Sequence, residues 1–183
     1  MTSSTRFNLD YSVDAVGAAG VEKVELWITR NRGRDWEFYG TDKDLVSPLL
    51  VQDMSEGIYG FRVVIVGKNG LASQTTRSGD LADLWVGVDT KKPTVEIASA
   101  AYGTDAYAGQ LDIRWTATDD YFGSRPITLA FSEKPEGPWT TIAAGLPNSG
   151  QYHWRVDASV PAKFFVRVEA RDEAGNTGYD QTD

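Results

Sequence analysis

The chain has 183 residues, no cysteine and a net charge of −8 at neutral pH, a length that suits one medium-sized domain or two small ones. The missing cysteines exclude disulfides and thiolate zinc sites, and the acidic balance argues against nucleic acid, whose phosphates would be repelled. No apolar run reaches the roughly 18 residues of a membrane span, so we expect no membrane insertion.

The first half of the chain reads as a series of short strands. Residues 7–13 (FNLDYSV), 24–28 (VELWI) and 59–65 (YGFRVVI) carry an apolar side chain at every second position, which is the pattern of half-buried strands. Turn residues separate these segments, and helical periodicity of about ten residues or more is absent. The pattern predicts an all-β fold built as an antiparallel sandwich.

The same series of strands occurs a second time, about 104 residues later. Four pairs of segments match in the same order: 7–13 with 111–117, 24–36 with 127–139, 49–51 with 154–156, and 59–65 with 164–170. A fixed offset with matching apolar positions indicates duplicated units. We therefore predict two homologous β-sandwich domains, residues 1–89 and residues 93–183, joined by a short linker.

The two ends of the repeat are uneven. The first copy has little sequence before its first alternating segment, and the second copy has little after its last one. We expect a missing first strand in the first domain and a truncated last strand in the second, as in a piece of a longer array. Open sheet edges recruit strands, so we expect the ends to pair with neighbouring repeats or chains.

Two matching segments, YGFRVVIVGKNG and FFVRVEARDEAGN, resemble the late strand of fibronectin type III and related immunoglobulin-like domains. Tyr59 stands where this family keeps a tyrosine whose hydroxyl fixes the adjacent corner, and Phe164 replaces it in the second copy. The segments RDEAGNTG and DTKKPTV resemble those of tandem repeats in bacterial secreted and cell-surface proteins. The resemblance implies two immunoglobulin/fibronectin III-like sandwiches at an extracellular, periplasmic or cell-surface location.

The stretch TRNRGRDWEFYG approximates the Asp-box, a hairpin of sialidases and other β-propellers. The matching positions are Thr29, Asn31, Gly33, Asp35 and Trp36. In those proteins the box is structural, and this chain is too short for a propeller. The equivalent stretch SEKPEGPWTTIAAG keeps the Trp and the turn length. We interpret the motif as a hairpin in which short polar side chains cap backbone groups and glycine adopts positive φ.

Catalytic signatures are weak. The single histidine, His153, lies between the inward candidates Tyr152 and Trp154, so we expect it on the outer face of a sheet. The acidic pairs Asp119–Asp120 and Asp172–Glu173 could serve glycosidic chemistry, but acids in loops commonly cap turns. We therefore predict no enzymatic activity, with a hydrolase as the least favoured alternative.

Oxygen-rich loops near a domain junction are places where calcium rigidifies tandem modules. The candidate ligands are Asp89, Asp119, Asp120, Asp172, Glu173 and Asn176. No EF-hand spacing is present, and solvated turns are the competing explanation for these residues. Calcium is the only cofactor that we consider.

Sugar binding by a sandwich uses exposed aromatic platforms. Trp27 is the first candidate, because it faces outward when Val24 and Leu26 face inward. The alternative roles for Trp27 are packing against the other domain or a cation–π contact with Arg62. Tyr121 and Phe122, in a loop, form a second candidate pair.

The other tryptophans are assigned to packing: Trp36, Trp115, Trp139 and Trp154 to the cores or hairpins, and Trp85 to fixing the angle between the domains.

Taken together, the sequence predicts a non-catalytic structural and interaction module within a larger bacterial envelope or secreted protein. It would serve spacing, adhesion or protein–protein contact, with other proteins or neighbouring repeats of the same chain as partners. The alternative is a carbohydrate-binding accessory module of a glycan-processing enzyme, with a glycan as ligand.

Overall fold

A computed structural model of the chain describes residues 1–13 and 20–183. The described residues form β-strands and one short 3-10 helix, Asp105–Tyr107, so the all-β prediction is confirmed. Among the described residues, no helix is long and apolar enough to cross a membrane. The chain divides into two compact units, residues 1–90 and 91–183.

The first unit pairs its strands into two antiparallel sheets. The described strands are β1 (Phe7–Leu9), β2 (Val21–Thr29), β3 (Glu37–Asp42), β4 (Leu49–Val51), β5 (Gly57–Gly67) and β6 (Leu84–Val88). One sheet consists of β1 and β4, and the other has the order β3-β2-β5-β6. Leu9 and Val51 of the small sheet and Leu26 and Phe61 of the large sheet share one buried cluster. The two sheets therefore pack face to face as a sandwich.

The second unit repeats this arrangement and adds one strand. Its strands are β7 (Thr94–Tyr102), β8 (Gln110–Thr118), β9 (Ile127–Ser132), β10 (Thr140–Leu146), β11 (Gln151–Arg155), β12 (Phe165–Arg171) and β13 (Thr177–Gln181). The sheets have the orders β11-β8-β7 and β10-β9-β12-β13. Ile113 of the first sheet and Leu129 and Val168 of the second lie in one buried cluster, so this unit is also a sandwich.

The repeat found in the sequence is a repeat of strands. β1 to β6 correspond in order to β8 to β13, and each central pair, β2 with β5 and β9 with β12, is antiparallel. β7 has no counterpart among the described strands of the first unit. β6 and β13 each contain 5 residues. The predictions of a missing first strand and a truncated last strand concern the ends of the chain and stay predictions.

The corner before β5 is tied as the resemblance implies. The Tyr59 hydroxyl donates to the carbonyl oxygen of Ser55 at 2.8 Å, while the ring is buried in the core. Phe164, at the equivalent place in the second unit, packs edge-on against Trp154 with ring centroids 5.6 Å apart. The second unit thus replaces a hydrogen bond by aromatic packing.

Candidate functional site

The hairpin between β2 and β3 is capped by its own polar side chains. Thr29 Oγ1 accepts a hydrogen bond from the backbone of Gly33 at 3.0 Å. Asn31 Oδ1 accepts one from the backbone of Asp35 at 2.9 Å, and its amide donates to the Asp35 carboxylate at 2.7 Å. Gly33 has a φ of 82°, which favours glycine. The capping interpretation of this motif is confirmed.

The hairpin tryptophan of each unit stacks on an arginine of the neighbouring central strand. The Arg62 guanidinium lies 5.4 Å from the Trp36 ring, and the Arg167 guanidinium lies 4.0 Å from the Trp139 ring and 4.1 Å from the Tyr179 ring. Arg62 is flanked in sequence by Phe61, which points into the core. The stack therefore lies on the outer face of the sheet.

This stack corrects one expectation. We considered a cation–π contact between Arg62 and Trp27, but the guanidinium lies over Trp36. Trp27 and Arg62 face each other across the β2–β5 pairing; however, the Arg62 side chain turns toward the hairpin because acceptors are available there, among them Asp80.

Trp27 lies half-buried on the outer face of the first unit. Its ring packs edge-on against Phe38, with centroids 5.5 Å apart, and its Nε1 donates to the Glu25 carboxylate at 3.1 Å. Phe38 is 52% exposed. The two rings form an aromatic surface beside a carboxylate, and its use as a glycan platform stays a prediction.

Tyr121 and Phe122 lie in the loop between β8 and β9, where they play different parts. Phe122 packs against the core of the second unit, which leaves it poorly placed as a platform. Tyr121 is half-buried, and its backbone carbonyl accepts a hydrogen bond from Glu173 at 3.0 Å. Tyr121 thus joins two loops through its backbone, and ligand binding by this pair stays a prediction.

Two of the candidate calcium ligands of the second unit meet. Carboxylate oxygens of Asp119 and Asp172 lie within 4.8 Å of each other. Asp172 is buried and accepts hydrogen bonds from the backbone and the amide of Asn176 at 2.8 and 2.7 Å. Asp119 accepts one from the backbone of Tyr121 at 2.7 Å. Both carboxylates therefore accept hydrogen bonds within turns.

The remaining calcium candidates divide between exposed and buried positions. Asp120 and Glu173 are exposed. Asp89 belongs to the first unit, where it is buried and its backbone donates to the carbonyl of Thr2 at 3.0 Å. Calcium binding by the predicted set stays a prediction.

His153 lies where the alternation places it, on the outer face of the β8–β11 pair. Its ring stacks on Tyr107 with centroids 4.5 Å apart, and its two nitrogens lie 3.0 Å from the Gln151 amide and 3.3 Å from the Asp112 carboxylate. The hydrogen bond from Arg114 holds the pKa of Asp112 below its usual range. These neighbours are an amide, an acid and an aromatic ring, which form a polar surface cluster and not a catalytic triad.

The first unit has a surface groove that the sequence does not predict. The groove has a volume of about 550 Å³ and is lined by Arg30, Arg32, Ile58, Leu81 and Trp85. Trp85, which we expected to fix the angle between the domains, is 41% exposed in this lining. The residues come from separate stretches of the sequence, so no motif joins them before folding.

Comparison with models of known protein families and with curated proteins finds no match. Among solved structures, the chain is similar to the fibronectin(III)-like modules of Clostridium thermocellum CbhA, with 20% identity, a TM-score of 0.50 and coverage of 98% of this chain and 84% of that one. The chain has the fold of tandem fibronectin type III-like modules. The predicted resemblance is thus confirmed at the level of the fold.

Two further structures are similar over most of this chain. The FN1–FN3 domains of chicken CNTN1 are 18% identical with a TM-score of 0.36, covering 96% of this chain and 61% of that one. A tetra-tandem repeat in the extending region of a large adhesion protein is 18% identical with a TM-score of 0.37, covering 97% and 48%.

Proposed function

We propose that the chain is a non-catalytic structural and interaction module of a larger bacterial envelope or secreted protein, serving spacing, adhesion or protein–protein contact. The observation that carries this proposal is that the candidate catalytic side chains contact neighbouring loop and sheet residues. Asp119 and Asp172 accept hydrogen bonds from turn backbones, and His153 lies in a surface cluster with Gln151 and Asp112. These groups stabilise loops and a sheet face.

The architecture supports the same proposal independently. Two sandwiches follow each other along the chain, and each encloses its own buried cluster. Sandwiches of this kind are found in tandem in many surface proteins. The fibronectin(III)-like modules of CbhA supply an analogy at the level of the fold, which bears on function only indirectly. An extracellular, periplasmic or cell-surface location is part of the proposal.

Single-molecule pulling of the full chain tests the spacer role. Two separately folded units should unfold in two events, each releasing roughly 30 nm of contour length at about 3.6 Å per extended residue. A single event of about twice that length, or a featureless extension at low force, would contradict the proposal.

The carbohydrate-binding alternative is favoured by one observation, the aromatic surface of Trp27 and Phe38 beside Glu25. A glycan array probed with the full chain tests it. Under this alternative, Trp27→Ala abolishes binding, whereas Tyr179→Ala, which removes an exposed aromatic ring of the second unit, leaves it unchanged. Binding to no glycan would remove the alternative.

Turnover would overturn both non-catalytic functions. The full chain is assayed on chromogenic glycosides and esters beside the variants Asp119→Asn and Asp172→Asn. We expect no hydrolysis above the buffer rate. Hydrolysis that is lost in either variant would establish a hydrolase instead.

A further inference from the structure

The groove of the first unit is built by a loop that the second unit lacks. Residues 68–83 connect β5 to β6, whereas residues 172–176 make the equivalent connection between β12 and β13. Long ordered loops in compact domains commonly carry function. The extra length of this loop is therefore a reason to look for a site on it.

A buried arginine fixes the loop to the sheet. The side chain of Arg62 is 10% exposed, and it bonds to the carboxylates of Asp80 at 3.0 Å and Asp83 at 3.4 Å. It also donates to the backbone carbonyl of Leu81. A guanidinium that makes several bonds holds its partners in a defined geometry, so the segment around Leu81 is set in place before any ligand arrives.

The capped hairpin provides the second attachment of the loop. The backbone of Gly79 donates to the carbonyl of Gly33 at 2.8 Å. A Cβ atom at Gly33 would lie 1.9 Å from the carbonyl oxygen of Asp80, so only glycine permits this approach. The same hairpin contributes Arg30 and Arg32 to the groove. Hairpin and loop thus bring the arginines and Leu81 together.

The groove exposes three large apolar side chains. Leu81 is 77% exposed, Ile58 51% and Trp85 41%. Gly60, opposite Trp85 in the β5–β6 pairing, leaves room for the indole, since a Cβ atom there would lie 3.0 Å from the Trp85 ring. Exposed apolar patches bordered by polar residues mark interaction sites.

The groove also carries positive charge that the described part of the chain does not neutralise. Arg30 and Arg32 form no ion pair with any described residue; Arg30 lies 5.0 Å over the ring of Tyr59. The nearby acids Asp80 and Asp83 share the single positive charge of Arg62, so these residues together with Arg30 and Arg32 keep a net positive charge. The guanidiniums of Arg30 and Arg32 have no carboxylate partner among the described residues, so they favour an anionic ligand in the groove through local charge, against the overall negative charge of the chain.

We propose that the groove binds an acidic polypeptide segment of a partner protein. Carboxylates of the segment pair with Arg30 and Arg32, and a neighbouring leucine or phenylalanine packs on Ile58, Leu81 and Trp85. Arginine and tryptophan are enriched at protein interfaces and their hot spots. A glycan could stack on the Trp85 ring, but Ile58 and Leu81 offer its hydroxyl groups no hydrogen-bond partner, whereas they suit an apolar side chain of a peptide. The inference rests on the proposed function, because it names the partner class of that interaction module.

The test is an amide-proton NMR titration of the isotope-labelled full chain with short synthetic peptides. The probe peptide alternates Asp or Glu with Leu or Phe; one control replaces its apolar residues by Ser, and another replaces its acids by Lys. We expect saturable shifts of the Trp85 indole and of the Ile58 and Leu81 amides with the probe peptide alone.

Charge-reversal variants locate the binding. Close charge pairs contribute strongly at interfaces, so Arg30→Glu with Arg32→Glu should weaken binding of the probe peptide by about tenfold or more. The matched control is Arg34→Glu, which reverses an exposed charge of the same hairpin outside the groove lining and should change affinity less than about twofold. The spectra of the unbound variants show whether they fold.

The inference would be overturned by the absence of a saturable shift with the probe peptide, or by equal shifts with the serine peptide, the lysine peptide or oligogalacturonate. An equal loss of affinity in the Arg34→Glu variant would also overturn it. Concentration-dependent shifts without peptide would assign the groove to a second copy of the chain and also overturn it. None of these results alters the pulling experiment, so the proposed function is judged separately.

Discussion

At the scale of the residue, Tyr11 links stability to alkaline pH. Its hydroxyl donates to the Asp42 carboxylate at 2.5 Å, and burial together with this hydrogen bond raises the pKa of Tyr11 to about 12 from 10.0. The pKa of Tyr11 is higher in the folded state than in the unfolded state. Its contribution to the free energy of unfolding is therefore complete below pH 10 and is lost as the pH rises toward 12. The first unit should therefore lose stability in this range.

The measurement is urea unfolding of the full chain and of Tyr11→Phe at a series of pH values. The variant should be less stable at pH 8 and should depend less on pH above 10, because the shifted group is gone. Other tyrosines ionise in both proteins, so the difference between the two isolates Tyr11. Parallel curves for the two proteins would contradict the account.

Arg167 gives a second prediction at this scale. Its guanidinium lies between the rings of Trp139 and Tyr179 and donates to the Gln181 side chain at 2.8 Å. Arg167→Ala should lower the free energy of unfolding by about 1–2 kcal/mol, from two cation–π contacts and one hydrogen bond. Arg167→Lys should recover only part of this, because an ammonium lacks the planar stacking surface. Equal stability of all three proteins would be the contrary result.

At the scale of the element, Gly33 joins the hairpin to the long loop. Gly33→Ala introduces a Cβ atom into the Asp80 carbonyl and strains a φ of 82°, so residues 77–83 should detach and exchange their amide hydrogens faster. The control is Gly70→Ala, which has a φ of 75° but nothing within 4 Å of its Cβ atom. Hydrogen exchange measured by mass spectrometry should separate the two variants. Similar protection of residues 77–83 in both would contradict this role for Gly33.

Five of the six predicted calcium ligands lie in loops of the second unit, and Asp89 belongs to the first. If Asp119 and Asp172, whose carboxylate oxygens lie within 4.8 Å, bind calcium, millimolar CaCl₂ raises the unfolding temperature by linkage. The increase should vanish in Asp172→Asn and persist in Asp105→Asn, an exposed acid elsewhere in the unit. An unfolding temperature that does not respond to CaCl₂ would refute the prediction.

The sequence predicts the strands of this fold more completely than its surface. Alternation identifies inward residues such as Leu26 and Ile113, which are fully buried, because a strand's side-chain period is fixed by its geometry. The hairpin caps are equally local. The Arg62 contacts are not, since they depend on residues 80–83 of a loop without periodicity. Phe122 shows the converse difficulty, as an aromatic residue in a loop sequence packs against the core.

At the scale of the whole molecule, one sandwich is used twice with different additions. The second unit has β7 on the edge of its smaller sheet, and the first has the long loop that builds the groove. Each core depends on strand positions, which the two units share, whereas loops tolerate differences in length because they lie on the surface. The two units therefore share an architecture and differ in one connection and in one edge strand.

Each of the two sandwiches has its own buried cluster, so we expect each unit to fold without the other. The most direct measurement is urea unfolding of residues 1–90 and of residues 91–183, produced separately and followed by circular dichroism. Each piece should show a β-sheet spectrum and one cooperative transition. The first unit should be the less stable one, because its smaller sheet has two described strands where that of the second has three. A piece that remains unfolded on its own, or a transition present only in the intact chain, would contradict the account.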